Sequence, residues 1–374
     1  SKQRFTYEQV QEILDGKVEH PFADVLKDMD NLREKLMQKR FEEGGIDFET
    51  PEVKIILDES GHPTEVVPRV RLNSHRLGEE FMLLANKTVA RHIRIISPSK
   101  NKLLPFIYRV HEKPDEKKMN RFFEFLSAMN IPFKPVKRIT SKYLQNLLRS
   151  IKGTKEEIII EEVALRSMMK AVYSEKNIGH FGLGFKDYTH FTSPIRRYPD
   201  LTVHRLLRQY AQSVKAPAGL SKQLKEIARQ ATERERLAIE AERESIKLKQ
   251  TQYISHHLGE TFEGLVSGVM AFGIFVELKE TFIEGMVPVT SLTDDFYIYD
   301  EKTYSMIGRD LERTIRLGDE VVVRVESVDL EHRKVEFSLI ENLSDEPGRS
   351  EFILQNNLEK KNNRRTKRRK RRRK

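Results

Sequence analysis

From Ser221 to about His256 the chain contains no proline and no glycine and is filled with Arg, Glu, Lys, Gln and Ala. These residues lose little freedom in a helix, so the stretch predicts one long, strongly charged helix. Its apolar positions are sparse (Leu224, Ile227, Leu237, Ile239 and Ile246). Such a helix lies over another surface and is not itself a core. It also separates two kinds of sequence. Before it the chain mixes helical and strand periods, and after it the period is that of strands.

Residues 258–341 hold five short alternating segments: "ETFEGLVSGVM", "FGIFVELKE", "FIEGMVPV", "DEVVVRVESVD" and "KVEFSLI". Each is rich in Val, Ile or Phe and is bounded by Gly or charged turns. Five strands, with a longer excursion before the fourth, fit a small OB-type barrel. Phe272 and Phe275 are three apart, so a flat strand would put them on opposite faces; a bulge at Gly273 would bring them together. Such rings serve either as barrel core or as an exposed platform on which bases stack.

Residues 1–215 read as mixed α and β. Thr6 and Gln9 have capping-box spacing, with a helix following through Leu14. Further helices are expected over Ala23–Glu42, Ser74–Ile95, Glu116–Met129, Ser141–Ser150, Glu161–Tyr173 and Asp200–Tyr210. Between the first and second of these, strands carrying Val53, Ile55 and Ile56 flank a hairpin turn at Ser60-Gly61-His62-Pro63. The stretch "QSVKAPAGLSK" at 212–222 reads as a linker. The expected organisation is α+β over 1–215, linker and long helix over 216–257, barrel over 258–341 and tail over 342–374.

The net charge of +10 is located in that tail: residues 360–374, "KKNNRRTKRRKRRRK", hold 12 basic residues and no acid, leaving 55 basic (67 − 12) against 57 acidic residues elsewhere. Such a segment repels itself and has nothing to bury, so it is expected to be disordered. Arg364, Arg365, Lys367 and Arg368 are then candidates for salt-sensitive attraction to a polyphosphate, RNA above all, although a solubilising end would look the same. The chain has no cysteine, which excludes disulfides and thiolate metal sites and suits a reducing, cytoplasmic setting. No apolar run approaches the ~20 residues of a membrane helix. Ser1 stands where a methionine would begin a chain, as in a piece of something longer or a trimmed start.

Residues 190–200 read "HFTSPIRRYPD". Prolines on both sides fix backbone angles around Arg196 and Arg197, presenting them at low entropy cost. A guanidinium fork grips two oxygens of a phosphate at once, which lysine cannot do. Pro199 suits the first turn of the helix that follows, whose positive end adds to the field. Taken alone, an Arg-Arg pair is also an ordinary solvated surface feature.

The longer segment "GHFGLGFKDYTHFTSPIRRYPDLTVHRLL" resembles the characteristic segment of the RNase II/RNase R family of exoribonucleases, the RNase R branch most closely. "GGIDFE" at Gly44, "EEFMLLANKTVAR" at Glu79, "YRVHEKP" at Tyr108 and "LRSMMKAVYS" at Leu165 are similar too, as is the order of long helix, S1-type OB domain and basic tail. The resemblance spans about residues 1–345. It implies the C-terminal portion of a catalytic RNB domain, in a processive, magnesium-dependent 3′→5′ exoribonuclease that releases nucleoside 5′-monophosphates.

By this resemblance Arg196 stabilises the reacting phosphate, while Arg197 touches the RNA backbone. Phe48 matches the aromatic that clamps the terminal base, or else is strand core. Glu79 matches an acidic position near the terminal nucleotides, with the adjacent Glu80 leaving the register open and a plain helix carboxylate as the alternative. Tyr188, His190, Thr192 and Ser193 orient the arginines by hydrogen bonds. In the barrel, Pro288 replaces the family's usual histidine, so Phe272 and Phe275 carry the RNA platform.

The family's metal-binding aspartates, which would hold Mg2+, have no counterpart here. Asp28 and Asp30 have DxD spacing, but on a helix they point about 200° apart. The expected chain therefore holds no metal ligands and is inactive alone. Its expected partners are single-stranded RNA, with the ribosome or the missing N-terminal half as further candidates. The alternative is a non-catalytic single-stranded RNA- or ribosome-binding module.

Overall fold

The computed structural model describes residues 1–47, 52–99, 103–134, 136, 138–154, 157–301 and 303–344. Phe48 and the tail residues Arg364, Arg365, Lys367 and Arg368 lie outside these. In chain order the elements are α1 (Tyr7–Leu14), α2 (Ala23–Glu42), β1 (Val53–Leu57), β2 (Pro63–Pro68), α3 (Asn73–Ile96), β3 (Tyr108–Val110), α4 (Glu116–Ala128), α5 (Ser141–Ser150) and α6 (Glu157–Ser167). There follow β4 (Val172–Ser174), α7 (Tyr198–Gln212), α8 (Leu220–Ile254), β5 (Thr261–Met270), β6 (Gly273–Leu278), β7 (Glu284–Pro288), β8 (Tyr297–Asp300), β9 (Ser305–Gly308), β10 (Thr314–Arg316), β11 (Glu320–Asp329) and β12 (Lys334–Asn342). The fold is α+β, with the expected long helix and then a five-stranded barrel.

The chain divides into two compact units. The first comprises residues 1–50, 69–123 and 132–242; the second comprises 51–68, 124–131 and 243–374.

In the first unit, Thr6 caps α1 as the spacing predicts: its Oγ1 accepts the Gln9 N–H and its own N–H donates to Gln9 Oε1. The core gathers Ala90 and Ile93 of α3, Phe106, Ile107 and Tyr108 around β3, Val203, Leu206 and Tyr210 of α7, and Leu224 and Ala228 of α8. The helix expected over Glu161–Tyr173 ends instead at Ser167, and Tyr173 lies in β4, paired antiparallel with Arg109 of β3. The partner of that strand is more than sixty residues away in the chain, so no local pattern announces it. The Tyr173 N–H is taken by Thr232 Oγ1 of α8 at 3.0 Å. The middle of α8 also departs from expectation: Leu237 is 54% and Ile239 42% exposed. Its Leu224 and Ala228 face fills the core, with Leu220, Ile227 and Ala231 packed against it.

In the second unit the β1–β2 hairpin is closed by Asp58, whose Oδ1 accepts the N–H groups of Ser60 and His62. The barrel closes in the order β11-β12-β7-β6-β5, with β12 and β7 parallel and the other neighbours antiparallel. Phe337 fills its centre, fully buried, and Gly285 makes the room: a Cβ there would meet the Phe337 ring at 2.4 Å. The excursion before the fourth barrel strand forms a three-stranded sheet of order β10-β9-β8, which the alternating segments did not reveal. Asp295 pins it by accepting the backbone N–H groups of Phe296, Asp310 and Leu311.

The expected bulge at Gly273 is not there. The register shift lies on the facing strand, between Val266 and Gly268 of β5, and Phe275 sits opposite Gly268. Gly273 is instead held close to β7, where a Cβ would meet the Val287 carbonyl oxygen at 2.5 Å. Phe272 precedes β6, in the turn, and so escapes the strand's alternation.

Candidate nucleic-acid interface

The segment from Tyr188 to Asp200 is fixed at both ends before it reaches the arginines. Its first half runs along β3: the Arg109 N–H donates to the Tyr188 carbonyl at 3.0 Å, and Thr189 Oγ1 donates to the Ile107 carbonyl at 2.7 Å. Asn86 of α3 clamps it from above, donating to Tyr188 Oη at 3.2 Å and accepting the Phe191 N–H at 2.9 Å. The His204 ring of α7 stacks on Phe191, with centroids 4.2 Å apart.

Its second half is organised by Asp200, which is wholly buried in the first turn of α7. Asp200 Oδ1 accepts the Ser193 N–H at 2.8 Å and Arg197 Nη2 at 2.7 Å. The Ser193 carbonyl in turn accepts the N–H groups of Arg196 and Arg197. Arg197 is the N-cap of α7, and Pro199 occupies the first turn. Two arginines adjacent in sequence thus diverge. Arg197 is tied down by a buried carboxylate, while Ile195 at the tip is fully exposed and Arg196 beside it is exposed with no ion-pair partner among the described residues.

Behind the corner stands a column of rings. His111 and His180 meet edge to face at 5.1 Å, His180 and Tyr188 at 5.4 Å, Tyr188 and His190 at 5.7 Å, and Tyr173 and His190 at 5.5 Å. Tyr173 Oη and His190 Nδ1 share a hydrogen bond of 2.9 Å. The Arg109 guanidinium lies 4.7 Å from the Tyr173 ring centroid and reaches Glu235 of α8 at 2.6 Å. So the hydroxyls and imidazole expected to orient the arginines do something else. Tyr188 bonds Asn86, His190 bonds Tyr173, Thr192 Oγ1 is buried without a partner among the described residues, and Ser193 contributes its backbone. The orienting group is Asp200, which stood in the quoted segment at i+3 from Arg197 and could have been found by that spacing. Arg109, Tyr173, Asn86, His111 and His180 were also missed.

Burial, reinforced by Arg197 and Arg109, pulls the His190 imidazole down to about 2. Burial, with His111 and Arg109, pulls His180 down to about 3. Burial pushes the Tyr173 hydroxyl up to about 12, and that of Tyr188 upward too. All these rings are neutral near pH 7, so none is a proton donor of the imidazolium kind. In an unfolded chain each histidine takes up a proton near pH ~6.5. Below that pH the unfolded state therefore binds more protons than the folded one, and stability falls as pH falls toward the folded values. The slope is at most about 1.4 kcal/mol per pH unit per histidine. Urea unfolding at pH 7.5 and pH 5.0 should show a loss of a few kcal/mol, about half of it removed by His190→Gln. An unchanged pH slope in that variant would remove His190 from the account.

The two candidate carboxylates on α3 separate cleanly. Glu80 is buried and bonded to Arg40, at 2.9 Å from Nε and 2.7 Å from Nη2. Glu79 is half-exposed and paired with Arg71, which also reaches Asp47 at 3.5 Å. Among the described residues no group of three or more His, Asp or Glu is placed to hold a metal ion. Asp30, of the DxD pair, is engaged by Arg33 at 2.6 Å. The described residues do not fit the octahedral, carboxylate-rich site that magnesium prefers.

On the barrel, Phe272 is 57% exposed and Phe275 half-buried, with their rings 6.0 Å apart and perpendicular. Pro288, the last residue of β7, stands opposite Gly273.

Residues 1–213 match the family model of the RNB domain, and residues 255–340 that of the S1 RNA binding domain. The chain belongs to the RNase R family of RNB-domain ribonucleases. Ribonuclease R of Aquifex aeolicus is 41% identical to it over 350 residues, covering 92% of this chain and 49% of that protein. The Ribonuclease R of Escherichia coli is 33% identical over 355 residues, which is 43% of its length. The chain thus spans about half the length of the curated RNase R relatives it matches. Among solved structures, Mycoplasma genitalium RNase R in complex with ribose methylated single-stranded RNA superposes with a TM-score of 0.83 at 31% identity, over 91% of this chain and 54% of that one. In RNB terms the arginine corner lies inside the matched domain, and Phe272 and Phe275 lie inside the S1 match. No helix among the described residues is long and apolar enough to cross a membrane.

Proposed function

We propose that this chain is the phosphate-gripping and strand-guiding portion of a 3′→5′ exoribonuclease that hydrolyses single-stranded RNA to nucleoside 5′-monophosphates. The observation that carries this reading is Arg196: a guanidinium without a carboxylate partner among the described residues, at the tip of a corner whose backbone Asp200 and two prolines hold. Phosphodiester hydrolysis builds negative charge on the phosphorus oxygens, and a fixed cation stabilises that charge without reorganising. The first turn of α7 adds its free N–H groups and dipole. Arg197, held by Asp200, keeps the corner's shape and field. Glu79 faces the terminal nucleotides, and Phe272 with Phe275 offers faces on which bases stack.

Magnesium, in this reading, would be held by carboxylates other than the described ones, and its chemistry there would be to polarise water. The chain alone is inactive for that reason. The family's solved relatives bound to single-stranded and double-stranded RNA support RNA as the ligand. The absence of cysteine suits the cytoplasm.

The test is to incubate the chain with labelled single-stranded RNA, with and without magnesium. Binding at micromolar or better affinity that weakens steeply with salt is expected, with no release of monophosphates. Deleting residues 360–374 should flatten the salt dependence. No RNA binding at low salt would overturn the reading, and robust monophosphate release would overturn the claim that the metal ligands lie elsewhere.

A further inference from the structure

The first unit carries a second cationic feature, beside the Tyr188 end of the arginine-corner segment, where Leu83 and Phe185 pack on Tyr188. Between α2, α3 and the Gly184–Asp187 loop lies a cavity of about 460 Å³. Its wall depends on Gly184, which has φ +68 and sits so close to the turn after α2 that a Cβ would meet the Glu43 carbonyl oxygen at 2.9 Å. The loop is thereby held against α2.

The charges around this cavity do not balance. Three carboxylates line it, and each has its own cation: Glu80 has Arg40 at 2.7 Å, Glu43 has Lys87 at 2.6 Å and Asp187 has Arg94 at 2.9 Å. Three more cations line the same cavity: Lys39 of α2, Arg91 of α3 and Lys186 of the loop. All three are exposed, and none has an ion-pair or hydrogen-bond partner among the described residues. They come from three different elements and surround one hollow, whose floor is apolar: Leu36, Leu83 and the exposed Leu84.

We propose that this cavity is a phosphate-binding cradle for a single-stranded RNA segment, additional to the arginine corner. The proposal rests on RNA being the ligand of the chain, as set out above. Three unpaired cations match a run of phosphodiesters, while the paired ones fix the walls. Apart from Thr88, the lining side chains offer no neutral polar group to read base edges. Contacts to phosphate alone position a strand without reading its sequence. The cradle is therefore indifferent to sequence, and an apolar floor accommodates ribose and base faces without discriminating them.

The test compares the full chain with its Lys39→Gln/Arg91→Gln/Lys186→Gln variant, using a fluorescent single-stranded RNA over a range of salt. Each phosphate contact on a single strand contributes about 0.7 to the slope of log affinity against log salt, so the variant's slope should be smaller by about 2. The loss should be equal for oligo(A) and oligo(U), with an unchanged melting temperature. Binding and slope that match the parent chain's would overturn the proposal while leaving the proposed function standing. An effect on adenosine 5′-monophosphate alone would assign the cavity to a free nucleotide, and an effect on poly-glutamate alone would assign it to an acidic protein segment; either overturns the cradle. If the parent chain binds no RNA, both readings fall together.

Discussion

Arg196→Ala is expected to lower turnover about 10²–10³-fold in any RNB domain completed from this chain, the range seen when one preorganised donor to a developing oxyanion is removed. The loss should fall on kcat more than on KM, because the developing charge on phosphorus is greatest in the transition state. Arg196→Lys should recover little, since an ammonium restores charge without the two-pronged grip. The melting temperature should not move, because Arg196 is exposed and its side chain has no bonding partner among the described residues. Arg197→Ala should behave in the opposite way. It strips the cation from a wholly buried Asp200, so its first effect is on stability, and activity falls with the folded fraction. Steady-state kinetics beside thermal melts separate the two. If Arg196→Ala lowers the melting temperature as much as Arg197→Ala does, the division of labour drawn between them is wrong.

That division was only half legible in the sequence. The corner itself was, because prolines, arginines and the helix start are contiguous, and contiguity is what local rules read. The five barrel strands were legible for the same reason: alternation along each strand is local. What holds the corner is not contiguous. Arg109 and Glu235 meet across 126 residues, Asn86 and Tyr188 across 102. Tyr173, read as the end of a helix, proved to be strand, because its pairing with Arg109 and its bond to Thr232 outweigh the helical pattern upstream. The Phe272–Phe275 pair was found for an incorrect reason. The rings do meet, but through a turn and a register shift on the facing strand. Hydroxyl and imidazole groups near the arginines looked like their partners; in the fold Tyr188 bonds Asn86 and His190 bonds Tyr173, and the carboxylate of Asp200, three residues on from Arg197, does the holding.

The choice between Glu79 and Glu80 has a second large consequence. Both stand at the start of the same motif, and in sequence nothing ranks them. In the fold, the side chains of Arg40 and Glu80 are 5% and 4% exposed, while those of Arg71 and Glu79 are 36% and 35%. Glu80→Ala leaves a buried guanidinium uncompensated, which costs about 3–5 kcal/mol. Glu79→Ala breaks a solvated pair, worth about 0–1 kcal/mol. Chemical denaturation of the two variants should therefore differ severalfold in the stability lost. Replacing the buried pair together, as Arg40→Met/Glu80→Leu, should recover most of the loss, because neither charge is then left alone in the interior. If the double variant is no more stable than Glu80→Ala, Glu80 is supporting the fold through something other than Arg40. If instead Glu79→Ala matches Glu80→Ala, the half-exposed carboxylate is structural, and the proposal that it faces the terminal nucleotides falls.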